Sequence, residues 1–248
     1  MRTYGIIGRP LGHSFSKAYF ERKFASEELT DCRFLNFPLD DIAGLDTMLS
    51  DNPDLCGFSV TIPYKLDIIP HLDSLSNGAR EIGAVNCVRV THEDGKPRLE
   101  GHNTDALGFR VSLERLLAGA HPAALILGTG GASRAVRHVL ELLDIDYRMV
   151  SRSPRGNDTL TYEELTPEII EAHKLIVNTT PLGTFPEVAG KPALPYDAIG
   201  PEHYLYDLVY NPATTAFLAE GTKRGAATTN GEEMLHAQAE AAWKIWNS

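Results

Sequence analysis

Gly128, Thr129, Gly130 and Gly131 place three residues without a Cβ within four positions. Such a run lets the backbone turn tightly and come close to a ligand. A glycine turn that feeds a helix also presents free N–H groups and the positive end of the helix dipole, a setting suited to a pyrophosphate. Arg152 stands between Ser151 and Ser153, a guanidinium flanked by two hydroxyls, which suits a phosphate group. Ser14 and Ser16 are two positions apart in HSFS. In an extended loop their hydroxyls point the same way and can hold two oxygens of one carboxylate. Lys65 follows the run SVTIPY, just past an expected strand end, where α/β proteins place chemistry. Gln238 is a long amide in an otherwise apolar stripe; buried, it must bond backbone, water or a polar ligand.

Each residue also has a plainer account. Ser16 is a preferred N-cap type, and so are Asn103, Thr104 and Asp105 ahead of the next expected helix. Lys65 and Arg152 can be solvated surface residues, and the glycines an ordinary strand-to-helix turn.

The elements that must position these groups follow from periodicity. Residues 123–127 form a short apolar run, long enough for a buried strand and too short for a helix. Val136, Val139, Leu140 and Leu143 have helical spacing, which predicts a helix over 132–143, and 147–150 reads as a second strand. This is a variant dinucleotide-binding unit, GxGGxS rather than GxGxxG. An NAD-selective unit carries an acid at the end of that second strand to bind the ribose 2′-OH. Here the strand ends in Ser151, Arg152 and Ser153, and the nearest acids, Asp144 and Asp146, precede it. The pattern therefore points to NADP rather than NAD, with Arg155 as a possible second contact. The loop 178–183 can reach the ribose or nicotinamide side.

Upstream, strands are expected at 4–8, 33–39 and 56–61, with 83–90 running from a small-residue turn into a further strand, and helices at 17–28, 41–49 and 75–82. Pro63 suits the first turn of a short helix carrying Lys65. THEDGKP at 91–97 reads as a hairpin loop, followed by a return strand near 99–101 and a helix over 106–117. Downstream, a helix near 162–172 and strands at 174–177, 204–209 and 226–229 are expected, with 184–203 irregular. From Glu232 the chain is helical, with Met234, Leu235, Gln238, Ala241, Ala242, Ile245 and Trp246 on one broad face. Alternating strands and helices on both sides of residues 103–122 suggest two α/β lobes.

Composition narrows the function classes. The 248 residues are 43% apolar and 23% charged, as in a soluble globular protein. A formal charge of −10 argues against a nucleic-acid surface, which needs a basic face. No apolar run approaches a membrane span, and MRTYGIIGRP lacks the apolar core and cleavage site of a signal peptide. Cys32, Cys56 and Cys87 are odd in number and far apart, which suits reduced thiols in a cytoplasm. Metal-ligand spacing is absent, so no metal is expected.

Taken together, HSFS at 13–16, SVTIPYK at 59–65, GAVN at 83–86, GHNTD at 101–105 and GTGGAS at 128–133 resemble the shikimate dehydrogenase family. NTTPLG at 178–183, DLVYNPATT at 207–215, and NGEEML with Gln238 extend the resemblance over residues 4–240. It implies a two-lobed enzyme that reversibly reduces 3-dehydroshikimate to shikimate with NADPH, in aromatic amino-acid biosynthesis. An N-terminal α/β substrate lobe, 1–103 completed by the C-terminal helix 232–248, would accompany a Rossmann-like NADP lobe over 104–231. The substrate would lie in the cleft between them.

Carried over by position, Ser14 and Ser16 would bind the carboxylate, with Tyr210 nearby. Thr61, Asn86, Asp105 and Gln238 would bind ring hydroxyls. Lys65 and Asp105 would be the catalytic pair. Gly128, Thr129, Gly130, Gly131, Ala132, Ser151, Arg152 and Ser153 would contact NADP, with Thr179 on its ribose or nicotinamide side and Gly231 near the nicotinamide. The chain departs from the family pattern at Lys17, Cys87, Thr129, Ser151 and Ser153, and leaves Lys65 and Asp105 untouched. The resemblance implies a small-molecule substrate, no nucleic-acid or membrane partner, and a monomer or homodimer. A quinate/shikimate dehydrogenase with looser substrate or cofactor choice, an aminoshikimate-pathway relative and a non-catalytic NADP-binding sensor share the scaffold.

Overall fold

The computed structural model describes residues 1–11, 15–153 and 159–248. The chain divides into two compact units, Met1–Thr104 with Ala239–Ser248, and Asp105–Gln238.

The first unit holds β1 (Arg2–Gly8), β2 (Cys32–Pro38), β3 (Leu55–Val60), β4 (Ser74–Leu75), β5 (Cys87–Glu93) and β6 (Lys96–His102), in the order β2-β1-β3-β5-β6-β4. Helices α1 (Phe15–Ser26), α2 (Leu45–Asp51) and α3 (Asn77–Ile82) accompany them. β1 runs parallel to both β2 and β3, whereas β5 reverses and forms an antiparallel hairpin with β6. Alternation along β1 sends side chains to two cores. Ile7 joins Phe58, Val88 and Leu99 on one face, and Tyr4 and Ile6 join Phe20, Phe34 and Trp246 on the other.

The second unit is a sheet of six parallel strands: β7 (Ala124–Leu127), β8 (Tyr147–Val150), β9 (Thr159–Leu160), β10 (Leu175–Asn178), β11 (Tyr204–Asp207) and β12 (Ala227–Thr229). Their order is β12-β11-β10-β7-β8-β9. The chain therefore runs outward from β7 to β9, returns beside β7 and runs outward again to β12. This reversal between β7 and β10 is the switch point at which open α/β sheets bind ligands. Helices α4 (Asp105–Leu117), α5 (Gly131–Leu142), α6 (Pro167–Ala172) and α7 (Ala216–Lys223) belong to this unit. β7 and β10 are buried along their whole length, as their unbroken apolar runs require.

The last helix, α8 (Glu232–Trp246), spans the division between the units. Residues 232–238, expected with the first lobe, group with the second, where Met234 packs beside Phe109 and Tyr206 in one core. The remainder completes the first unit. There Trp246 packs on Tyr4, ring centroids 5.4 Å apart, and its Nε1 donates to the Val88 carbonyl at 3.0 Å. Trp243 lies against Phe24 at 5.4 Å in the same cluster. The Glu240 carboxylate accepts from the Tyr19 hydroxyl and from Lys23 Nζ, tying α8 to α1.

Three local expectations are corrected. The short helix expected at Pro63 is a series of turns, because the Lys65 carbonyl accepts from the Val85 N–H at 2.9 Å rather than continuing a helical ladder. The helix expected over 162–172 is confined to α6: Glu164 Oε2 folds back onto the Thr161 N–H at 2.7 Å, and Thr166 caps the helix just before Pro167. α1 already includes Phe15 and Ser16, not 17 onward alone, so Ser16 lies within the helix instead of at its cap. Among the described residues, no helix is long and apolar enough to cross a membrane.

Candidate active site

The glycine turn leaves β7 at the switch point. Gly128 has φ +108°, a left-handed conformation, and a Cβ there would come within 2.8 Å of Thr179 Oγ1. Only glycine meets both demands without strain. Thr179 is itself pinned, since its N–H and its hydroxyl both donate to the Leu127 carbonyl, at 2.9 and 2.7 Å. Gly130 is the N-cap of α5 with extended backbone and no side-chain cap bond. A Cβ on it would meet nothing within 4 Å. The first N–H groups of α5, from Gly131 and Ala132 onward, therefore stand at an open helix start, which is what a pyrophosphate needs. Thr129 is exposed on the turn, and Ser133 Oγ folds back to donate to the Gly130 carbonyl at 2.6 Å.

At the end of β8 the Ser151 N–H donates to the Leu160 carbonyl at 2.9 Å, and the Ser153 N–H donates to Ser151 Oγ at 3.2 Å. This small turn leaves Arg152 and Ser153 exposed. Burial raises the Tyr162 phenol above its ordinary pKa, and the charge of Arg152 opposes the rise. Arg155 lies outside the described residues.

In the first unit, Thr61 follows β3 and Lys65 lies four positions on. Thr61 N–H donates to the Ile7 carbonyl at 3.0 Å, and the Asn86 carbonyl accepts from Val60 N–H at 2.8 Å. With the Val85–Lys65 bond, these contacts gather Thr61, Lys65 and Asn86 at the carboxyl end of β3. The buried Asn86 side chain bonds Thr104 through both amide atoms. Ser16 is buried in α1, and Ser14 lies outside the described residues.

In the second unit, Asp105 is buried as the first residue of α4. Gly108, one turn on, lets α8 approach: a Cβ there would lie 2.5 Å from the Met234 carbonyl and 3.2 Å from the Gln238 N–H nitrogen. Asp105 and Gln238 thus stand on helices in close contact. Gln238 is buried, and its Nε2 donates to the Leu235 carbonyl at 3.0 Å. Gly231 N–H donates to the Val209 carbonyl at 3.2 Å, and Tyr210, on the same segment, is 36% exposed. Lys65 belongs to the first unit and Asp105 opens the second.

One group escaped the reading of residue types. Asp207 closes β11 and is fully buried. Its Oδ1 accepts from Asn178 Nδ2 at 2.9 Å and Val209 N–H at 3.0 Å, and its Oδ2 from Thr215 Oγ1 at 2.6 Å. Burial pushes its carboxyl up to about 6 against the pull of these bonds. The one available signal was an acid inside the apolar run expected as a strand over 204–209.

A parallel sheet with a glycine turn at its switch point, an open helix start and an arginine after the neighbouring strand define a dinucleotide-binding α/β protein. Residues 6–88 match the family described as "Shikimate dehydrogenase substrate binding domain". The chain is 35% identical to the shikimate dehydrogenase (NADP(+)) of Halothermothrix orenii, over 99% of this chain and 90% of the relative. It is 31% identical to that of Methanosphaera stadtmanae, over 98% of this chain and 90% of the relative. The shikimate 5-dehydrogenase of Thermus thermophilus, solved with NADP(H) and shikimate, superposes with a TM-score of 0.84 at 30% identity, covering 99% of this chain and 93% of that one. The chain belongs to the shikimate dehydrogenase family.

Proposed function

We propose that this chain catalyses the reversible, NADPH-dependent reduction of 3-dehydroshikimate to shikimate in the chorismate pathway. The observation that carries this reading is the likeness to NADP(+) shikimate dehydrogenases along nearly the whole chain, through both units. The open start of α5 supports the cofactor. Gly128, Thr129, Gly130, Gly131 and Ala132 would hold its pyrophosphate, Ser151, Arg152 and Ser153 its 2′-phosphate, and Thr179 and Gly231 its nicotinamide end.

Bound NADPH supplies the hydride that reaches the carbonyl carbon. The Lys65 ammonium donates a proton to the carbonyl oxygen as negative charge develops there, and its own charge stabilises that oxygen. The Asp105 carboxylate orients the lysine. In the reverse direction Lys65 takes the proton from the alcohol. Ser14 and Ser16 hold the substrate carboxylate with Tyr210 beside it, and Thr61, Asn86, Asp105 and Gln238 bind the ring hydroxyls. Fixed neutral partners of this kind discriminate strongly, because an analogue lacking a hydroxyl leaves them unpaired. The three cysteines, none in a disulfide, fit a reducing cytoplasm, and the enzyme acts as a monomer or homodimer.

The test is a spectrophotometric assay of shikimate oxidation with NADP and NAD in parallel. Rapid reduction of NADP with little of NAD is expected. Turnover mainly with NAD, or with quinate, would instead make this a quinate/shikimate dehydrogenase. Retained NADP binding without turnover would make it a sensor.

A further inference from the structure

The order of the second sheet sets the direction in which a dinucleotide must lie. The pyrophosphate site follows β7, and Arg152, the group suited to the 2′-phosphate, follows β8 on one side of it. The other end of the molecule must extend the opposite way, over the carboxyl ends of β10 and β11. Two chain segments form that ground, 178–183 after β10 and 208–210 after β11.

Asp207 is where these two segments meet. Through Oδ1 it takes the Asn178 side-chain amide and the Val209 N–H, one from each segment. The Asn178 amide is thereby oriented, so that its Oδ1 accepts from the Thr180 N–H at 3.1 Å and the Thr180 hydroxyl at 2.6 Å. Thr180 and Thr179 in turn lie against Gly128, where a Cβ would meet Thr180 Cγ2 at 3.1 Å. On the other side, the Leu208 backbone lies directly against Gly231. Oδ2 receives the hydroxyl of Thr215, which also caps α7 by accepting the Leu218 N–H at 3.3 Å. The connections run in one line, from Gly128 through Thr180, Asn178 and Asp207 to Val209 and Gly231.

The bonds to Asp207 among the described residues all come from neutral donors, so among those residues the carboxyl is held in the interior without a salt-bridge partner. Burying such a group carries a large desolvation cost, and an apolar residue would end β11 more cheaply. What the carboxylate supplies, and an apolar residue cannot, is simultaneous acceptance from two loops and a helix start.

We propose that Asp207 is a positioning residue, which holds the 178–183 and 208–210 segments in register with the glycine turn and so places the nicotinamide end of the cofactor for hydride transfer. This rests on the NADP reading above. Asp207 touches neither substrate nor cofactor; it acts through Asn178, Thr180 and Val209.

The experiment compares Asp207→Asn and Thr180→Val with the unaltered enzyme. An asparagine at 207 presents an amide NH₂ to a set of donors and breaks at least one bond. Thr180→Val removes the hydroxyl link at the loop end and leaves the buried carboxyl in place, so it serves where Asp207→Asn folds poorly. Steady-state shikimate oxidation is measured together with two binding constants, that of NADPH by its fluorescence and that of 2′,5′-ADP, which carries only the adenosine end. We expect kcat to fall about tenfold or more in Asp207→Asn and about threefold in Thr180→Val. NADPH binding should weaken several-fold, with 2′,5′-ADP binding and the KM for shikimate within twofold of the unaltered enzyme. Unchanged kcat and NADPH binding in both variants would overturn the proposal. So would an equal loss of NADPH and 2′,5′-ADP binding, which marks a general distortion of the unit. If the unaltered enzyme neither binds NADPH nor oxidises shikimate, the underlying reading fails instead.

Discussion

Asn86 and Thr104 form a closed, buried pair: Asn86 Nδ2 donates to Thr104 Oγ1 at 2.9 Å, while Asn86 Oδ1 accepts from the Thr104 backbone N–H at 2.6 Å. One amide thus fixes the residue that precedes Asp105. Asn86→Ala leaves a buried N–H and hydroxyl without these bonds, at a cost of about 1–3 kcal/mol. Thermal melting should fall by roughly 2–4 °C per kcal/mol lost, and kcat/KM for shikimate should fall with it. An unchanged melting temperature would show that the pair holds nothing in place.

Lys65 is half-buried, and the bond that shapes its turn comes from its backbone carbonyl. Removing the side chain therefore spares the turn. Lys65→Ala should lower kcat by about 10²–10⁴, the range of a lost general acid–base group, with the melting temperature little altered. Near-normal turnover would take the lysine out of the mechanism.

Arg152→Ala should raise the KM for NADP by about tenfold or more, the loss of one charge-assisted contact to a phosphate, and leave the KM for NAD unchanged. Equal effects on both cofactors would mean that Arg152 does not read the 2′-phosphate.

Gly128→Ala combines a left-handed φ of +108° with a Cβ only 2.8 Å from Thr179 Oγ1. Strain of this kind costs on the order of 1–3 kcal/mol. Urea denaturation should show that loss as a lower midpoint at an unchanged slope, and NADPH binding should weaken as Thr179 is displaced. A variant as stable as the parent would show that the turn can relax.

His203 is buried, with Nδ1 accepting from the Gly200 N–H at 3.0 Å and Nε2 donating to the Ile170 carbonyl at 3.1 Å. Burial holds its pKa below the ordinary value of 6.5. Between the folded value and 6.5 the unfolded chain binds more protons, so stability is complete above about pH 6.5 and is lost as pH falls. Asp207 carries the opposite sign: its raised carboxyl pKa, about 6, removes stability as pH rises through that value. Because Asp207 is common to both proteins, comparison with His203→Gln isolates the histidine. Melting temperatures from pH 7 to 5.5 should fall less in the variant than in the parent. Parallel curves would exclude His203 from acid sensitivity.

The second unit was largely legible in the sequence because its strands are short apolar runs bounded by glycine, proline and polar residues. Its helices were legible where apolar spacing was strong, as in α5. What escaped depended on partners distant along the chain. The turn at Lys65 is set by Val85, twenty positions on, and no local pattern announces that bond. β9 is two residues long and exists by pairing with Met149 and Val150. Asp207 fell inside the strand expected over 204–209, and nothing local announced its partners, since Asn178 lies 29 positions before it and Thr215 eight after. The glycine turn, by contrast, carries its own geometry in four consecutive residues.

Both tryptophans of the chain, Trp243 and Trp246, stand on the part of α8 that belongs to the first unit. Indole emission is therefore a built-in probe of that unit alone, whereas peptide circular dichroism samples helices in both. A denaturation followed both ways yields coincident curves if the two units unfold together and separated curves if they do not. A fluorescence melt by itself would pass over any earlier opening of the nucleotide-binding half, and a stability assigned from it would belong to the other half.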